Sequence, residues 1–318
     1  MAVPSNTIQN VARVGVREDL DDKIAQLFPD DAPFMKAIGR STAKNTYTEW
    51  QTDGLTAANA NNAAIQGDDL ANAARANTVR VGTHTQIFTK VVGASTTVEW
   101  TSKAGRRSEL ARELMKSGRE IRTDQESRFL GNYASVAAVT GVAGQTAGAL
   151  AWLTSNVSRG ATGASGGFSA GIVAAATNGT QRAYTEALLK PVLQSVWLAG
   201  GNPKMVVTNG TQKQAEAAFA GLAVNRIDNS PTGGQLTIVA GADVYQSDFG
   251  KLQFVPDRFA SARDALIVDP EYWDLAEGEG LTTFDLATTG LATRKAMRTE
   301  IALRCLNQAA SGAICDLT

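Results

Sequence analysis

KNTYTEWQT (Lys44–Thr52) and TVRVGTHTQIFTKVV (Thr78–Val92) both alternate in the manner of β-strands. In the first, Tyr47, Glu49 and Gln51 fall on one side, and Thr46, Thr48, Trp50 and Thr52 on the other. In the second, Val79, Val81, Thr83, Thr85 and Ile87 share a face. Between them, Asp53–Asn77 is mostly Ala, Asn, Asp and Gly and has almost nothing to bury. A two-stranded ribbon with so polar a tip is marginal on its own in water. The arm makes physical sense if another subunit supplies the missing surface, which points to a protein that assembles.

The arm runs into one long helix, expected from Ser102 to about Leu130. Leu110, Leu114, Ile121 and Phe129 recur at helical spacing, while Arg and Glu crowd the remaining circumference. Lys103–Arg128 holds eight basic and five acidic residues. Pairs along the helix such as Asp124 with Arg128 are each worth only a few tenths of a kcal/mol, so the surplus of charge points to partners outside the helix. A solvated charged face is the plain alternative.

On the N-terminal side, residues 1–40 read as an arm. Leu20, Ile24 and Leu27 line one face of a short helix, Asp19–Phe28, which Pro29 stops, and Pro33-Phe34-Met35 begins a second apolar turn reaching Ile38. On the other side, Gly141–Gly179 is dominated by Ala, Gly, Ser and Thr, the composition of a functional loop, pinned by Trp152, Leu153 and Phe168. An α/β segment follows. Tyr184–Ala199 is helical, with Pro191 as a kink or first turn; Lys204–Thr208 is a buried-type strand; Thr211 and Gln214 form a capping-box pattern. Leu236–Ala240, Asp243–Gln246, Leu252–Val255 and Ala265–Val268 read as strands. In the final strand, Met297, Thr299, Ile301, Leu303 and Cys305 face one way, opposite Arg298, Glu300, Ala302 and Arg304.

Composition narrows the function. The 318 residues are 43% apolar and 19% charged, a globular balance, and Lys plus Arg (30) nearly equal Asp plus Glu (31). That balance argues against a protein whose main task is gripping DNA, while leaving room for weak, local contact. Met1–Asn10 carries no apolar signal region and no run approaches the ~20 apolar residues that span a bilayer, so neither membrane nor export is expected. Cys305 and Cys315 are expected to be free thiols. Three Asn-x-Ser/Thr sites, at Asn156, Asn178 and Asn209, are expected to be chance matches.

Searches for chemistry return little. Gly163–Gly167 fits G-x-S-x-G, but the nucleophile elbow needs a buried strand before Ser165 and a helix after it, and here the flanks are polar and Gly-rich. The single histidine, His84, lies upstream in a polar strand and reads as a half-exposed side chain. There is no phosphate loop, no dinucleotide fingerprint and no metal-ligand spacing, so no cofactor is expected. The carboxylates stand out more. Asp264–Asp285 holds Asp264, Asp269, Glu271, Asp274, Glu277, Glu279 and Asp285 and no Lys or Arg. It reads as a cation site, as a docking surface for a basic partner, or as a solvated acidic loop.

Several segments resemble a phage head-protein family: Arg17–Leu20 leading to Pro29–Phe34, Tyr47–Asp53, Asp269–Trp273, and Asn307–Gly312 running on to Thr318. The order of elements resembles the major capsid protein of tailed bacteriophages, the α+β Hong Kong 97 type fold shared with encapsulins. The resemblance runs from about residue 8 to the end. It implies an N-terminal arm (1–40), an extended hairpin or E-loop (41–93), a peripheral domain with its spine helix (94–140 and 256–318) and an axial domain (141–255).

The resemblance also implies a structural role. Hexamers and pentamers would tile an icosahedral head around double-stranded DNA in the virion, assembled in the bacterial host cytoplasm. A separate scaffolding protein, a portal and a decoration protein are the implied partners. The spine helix would face a neighbour's E-loop, with the acidic run as a second partner across a subunit boundary. This makes Trp50, Arg75, Arg106, Arg107, Arg112, Arg119, Glu271 and Asp274 the expected assembly contacts. The tip has no Lys, which argues against the Lys–Asn cross-link that some members form. Other self-assembling surface or filament subunits, and an enzyme using the carboxylates of 264–285, are the competing readings; the first would favour heptads or a leading apolar helix, and the chain has neither.

Overall fold

The computed structural model describes residues 27–29, 31–67, 69, 72, 75, 77–103, 105, 107–219, 243–288 and 290–318. Most of the expected helix Asp19–Phe28, the expected strand Leu236–Ala240 and Arg106 lie outside these residues. In chain order the elements are α1 (Pro33–Ala37), β1 (Gly39–Thr42), β2 (Tyr47–Thr52), β3 (Val79–His84), β4 (Gln86–Ser95), α2 (Thr96–Trp100), α3 (Glu109–Leu130), α4 (Ala149–Trp152), β5 (Val157–Ser158), β6 (Gly167–Ser169), β7 (Ile172–Ala174), α5 (Glu186–Leu198), β8 (Met205–Thr208), α6 (Gly210–Ala217), β9 (Val244–Ser247), β10 (Gly250–Pro256), β11 (Ala265–Val268), β12 (Trp273–Asp285), β13 (Ala292–Cys305) and β14 (Gly312–Ile314).

Two sheets organise the chain. A four-stranded sheet runs β1-β12-β13-β4, and a six-stranded sheet runs β5-β14-β11-β8-β10-β9. The second sheet is buried on both faces, so its strands alternate between two cores. Met205, Val207, Leu266, Val268 and Ala313 point into a core shared with α1, α3, α4 and the four-stranded sheet. Val206, Ala265, Ile267 and Ile314 point to the other side, where Leu189, Val192, Leu193 and Val196 of α5 cover them. Gly312 is required there: a Cβ would lie 2.7 Å from Cγ1 of Val192. Each fully buried Leu, Ile, Val or Phe stabilises the fold by about 1.5–3 kcal/mol, so this double-sided burial is a main source of stability.

Residues 256–318, expected on the peripheral side, contribute strands to both sheets: β12 and β13 lie in the four-stranded sheet, and β11 pairs with β8 and β14 in the six-stranded one. Ala265–Val268 is buried at all four positions, the pattern of a strand covered on both faces. The single expected strand Thr78–Val92 is two strands. β3 pairs with β2 up to His84, and β4 pairs with β13 from Gln86. At Thr85 the chain changes partner: its N–H donates to the Thr46 carbonyl at 2.8 Å and its hydroxyl to the Glu300 carboxylate. The inward face changes with it, so Phe88 is buried and Ile87, expected beside Thr83, is exposed.

The spine helix, α3, begins seven residues later than expected. Its 22 residues span about 33 Å at 1.5 Å per residue. The start is fixed by two caps: the Ser108 hydroxyl accepts from the Ala111 N–H, and the Glu99 carboxylate accepts from the Leu110 N–H at 2.8 Å. α2, itself capped by Ser95, ends at Trp100, ahead of the expected start of the spine helix. At α6 the cap is Asn209, whose side chain accepts from the Thr211 N–H, in place of the expected Thr211 capping box. The Ala/Gly-rich stretch 141–179 carries short elements and is pinned where expected, with Trp152 and Leu153 buried.

The β2–β3 hairpin is anchored to its own subunit through one guanidinium. Arg304 and Asp274 are cross-strand partners on β13 and β12. Nε of Arg304 donates to Oδ1 of Asp274 at 2.6 Å and Nη2 donates to Oδ2, a bidentate pair. The Arg304 guanidinium lies 5.6 Å from the Trp50 ring, and Trp50 packs 5.5 Å from Trp152, which stacks on Phe168. Trp50 and Asp274, both expected at subunit boundaries, each hold partners inside the subunit.

Arg304→Met would strand the buried Asp274 carboxylate and lower subunit stability by about 3 kcal/mol. The double variant Asp274→Leu/Arg304→Met should regain most of that loss, because no unpaired charge remains buried. Chemical denaturation of the three proteins checks this; a loss under about 1 kcal/mol for Arg304→Met alone would contradict it.

Candidate assembly surfaces

The arm reaches outward from the Trp50 anchor. Strand pairing ends at Thr52 and Val79, and the described residues of the tip between them are exposed, including the full side chains of Leu55 and Ile65. Among the described residues, nothing covers the described part of the tip. The arm's polar length and bare end are as the sequence leads one to expect.

The acidic run behaves differently from expectation. Glu271 pairs with Lys204 and Glu277 with Arg40, while Glu279 meets Arg298 at 2.7 Å and Asp285 meets Lys295 at 2.9 Å. Asp269 is buried and accepts the N–H groups of Asn202 and Glu271. Asp264 touches Cys315, and burial raises its pKa. The run is thus compensated within the subunit, mostly by β1 and β13 beside β12. Glu271 and Asp274 are not free carboxylates awaiting a neighbour. The sequence held the signal: pairing 273–285 with 292–305 as one hairpin sets Lys295, Arg298 and Arg304 against the acids. Exposed pairs of this kind contribute about 0–1 kcal/mol each, so they orient the strands more than they stabilise them.

The basic residues of α3, of the arm and of the segments beside them take different partners. Arg112 meets Glu109 at 2.8 Å and Glu113 at 3.0 Å, and Lys90 of β4 meets Asp124 at 2.9 Å, taking the place of the expected Asp124–Arg128 pair. Arg128 turns inward and donates to the carbonyls of Thr146 and Ala134. Arg119 is exposed, with its guanidinium 5.2 Å from the Phe28 ring. Arg75 and Arg107 are exposed and, among the described residues, make no ion pair, which leaves them as the expected contacts still open to a neighbour. Arg106 lies outside the described residues.

Sequence reasoning missed the apolar part of the surface. Trp100, at the end of α2, is 77% exposed and Leu291 is 84% exposed; the Leu291 carbonyl accepts the N–H of Thr96 at the start of α2. Val91 and Phe284 show on the open face of the four-stranded sheet, and Trp197 and Leu198 at the end of α5. Of these, Trp100 and Leu291 lie on segments joined by a hydrogen bond, and Trp197 and Leu198 are neighbours in the chain. Trp100 had a signal, as an aromatic beside a Thr-rich, charged stretch, but its exposure depends on where α2 ends.

The chemical alternatives find no support in the described residues. Ser165 precedes the short strand β6, not a helix, and its hydroxyl accepts from Nε of Arg159 at 3.2 Å. His84 packs 4.6 Å from Tyr47, and burial lowers its pKa. Among the described residues no three His, Cys, Asp or Glu side chains gather as a metal site. Both cysteines are buried free thiols.

Comparison with known proteins agrees with this surface-dominated design. The family described as SU10 major capsid protein matches residues 3–318. A major capsid protein of Escherichia phage Phieco32 is 37% identical over 111 residues, which cover 35% of this chain and 32% of that relative. The chain is also similar in structure to the capsid asymmetric unit of Cyanophage A-1(L), with a TM-score of 0.67 and 13% identity, covering 98% of this chain and 100% of that one. The capsid of a native GTA particle gives a TM-score of 0.60 at 14% identity, covering 97% and 98%. The α+β architecture is the Hong Kong 97 type phage capsid fold, and the chain belongs to the SU10 major capsid protein family.

Proposed function

We infer that the chain is the major capsid subunit of a phage head, a structural protein whose function is to tile a shell. The observation that carries this reading is the arm: a hairpin held at its base by Trp50, whose described tip residues are bare among the described residues and offer a surface for a second chain. Family membership supports the same role. Copies associate into hexamers and pentamers of a closed icosahedral head, consistent with the preference of identical subunits for closed symmetry. The head encloses double-stranded DNA, and the near-balanced charge of the chain suits an inner wall that DNA touches only weakly. A scaffolding protein, a portal and a decoration protein are the remaining partners. Assembly takes place in the host cytoplasm and the product resides in the virion.

Arg75 and Arg107 are the charged contacts in this reading, and Trp100 with Leu291 the apolar ones. Glu271 and Asp274 rank behind them as contacts, because each already holds a basic partner of its own subunit.

Electron microscopy of the full chain, expressed alone and with its scaffolding protein, tests the reading. Closed particles of uniform diameter are expected; small discrete oligomers under every condition would overturn it. The variant Arg107→Glu should lower particle yield at least tenfold while leaving subunit stability within about 0.5 kcal/mol, as for other exposed substitutions. Undiminished yield would remove Arg107 from the interface.

A further inference from the structure

Where the spine helix meets the six-stranded sheet, two carboxyl groups are buried together. Glu126, near the end of α3, is fully buried. Its Oε1 accepts the Phe34 N–H at 2.7 Å and its Oε2 accepts the Met35 N–H at 3.1 Å, so it ties the first turn of α1 to α3. Asp257 follows β10 and is 3% exposed. Its Oδ1 accepts the Phe259 N–H at 2.7 Å, and its own N–H donates to the Thr208 carbonyl at the end of β8 at 2.8 Å. Its Oδ2 is buried with no N–H or O–H donor. Across from it is the Glu126 carboxyl, and two carboxyls in contact form a hydrogen bond only when one proton sits between them.

Among the described residues, the titratable groups that face this contact are carboxyls from three elements: Glu126 of α3, Asp257 after β10, and Asp31 ahead of α1. The basic residues nearest in sequence, Lys36 and Arg258, are exposed, and Arg128 is committed to the carbonyls of Thr146 and Ala134. Burial raises both carboxyl pKa values, and the mutual contact raises that of Glu126 further. Among the described residues, no cation replaces the proton.

We propose that the Glu126–Asp257 contact is a proton-held latch joining α1 and the spine helix to the end of the six-stranded sheet, closed in acid and loosened as the pH rises. This goes beyond the shell reading and does not depend on it, since the latch lies within one subunit. When the proton leaves, two adjacent buried charges repel with no donor between them. Glu126 keeps its two N–H donors from α1, so the bond that gives way is the one to Asp257. Release loosens the local joint between α3 and the segment after β10, while the shared apolar core keeps the helix on the sheet.

The sign follows from linkage. The closed contact binds its proton more tightly than the open one, so closure is strongest at acid pH. It weakens as pH rises from the ordinary carboxylate range toward the raised value, by up to tenfold per pH unit for one proton. Above that value it levels off.

Amide hydrogen exchange at Asp257 and Phe259, corrected for intrinsic rate, reads the opening directly. In the unaltered chain the opening constant should rise at least tenfold from pH 5.5 to 8. In Asp257→Asn the amide donates to Glu126 at every pH and the constant should stay flat. Glu126→Gln provides the same test if the first variant fails to fold. A pH-independent constant in the unaltered chain, or the same rise in a folded variant, would overturn the latch.

Discussion

The Arg304 guanidinium is where three parts of the chain meet. Its charge is held by Asp274 across the β12–β13 ladder, and its face lies against Trp50 of the hairpin, which rests on Trp152 of α4. Arginine suits this position because its planar fork satisfies a carboxylate in the plane while leaving its face for an aromatic ring. The junction orients an otherwise marginal two-stranded ribbon, so that the ribbon leaves the body in one direction. An arm that must reach a neighbour is useful only if its base is fixed.

The same economy governs the charges. The acidic run 264–285 is largely consumed by basic residues of the adjacent strands. Among the described residues, what stays exposed is a set of arginines at the arm and ahead of the spine helix, together with apolar groups at the ends of α2 and α5. Apolar contacts give a shell its association energy, while charges fix register and discriminate against wrong partners. Exposed tryptophan in the free subunit is the cost of having those contacts ready.

Much of the fold was legible in the sequence, because strong patterns have local causes. The alternation of Lys44–Thr52, the buried run at Met205–Thr208 and the long two-faced final strand were each written in a few neighbouring residues. What was not legible depended on distant partners. The break at Thr85 is set by Thr46 and Glu300, and the start of α3 by Glu99. The placement of β11 and β14 follows from which sheet had a vacant neighbour. The assembly residues fared less well for the same reason: Trp50 and Asp274 were conspicuous because they are well used, and they are used inside the subunit. Conspicuous charge in a sequence reports a need for a partner without saying in which chain the partner lies.

The central claim is that the arm's tip is completed by another subunit. Amide hydrogen exchange over residues 53–67, compared between the free subunit and the assembled particle, tests it most directly. The account predicts near-unprotected exchange in the free subunit and strong protection after assembly. Equal exchange in the two states, or strong protection already in the free subunit, would contradict it.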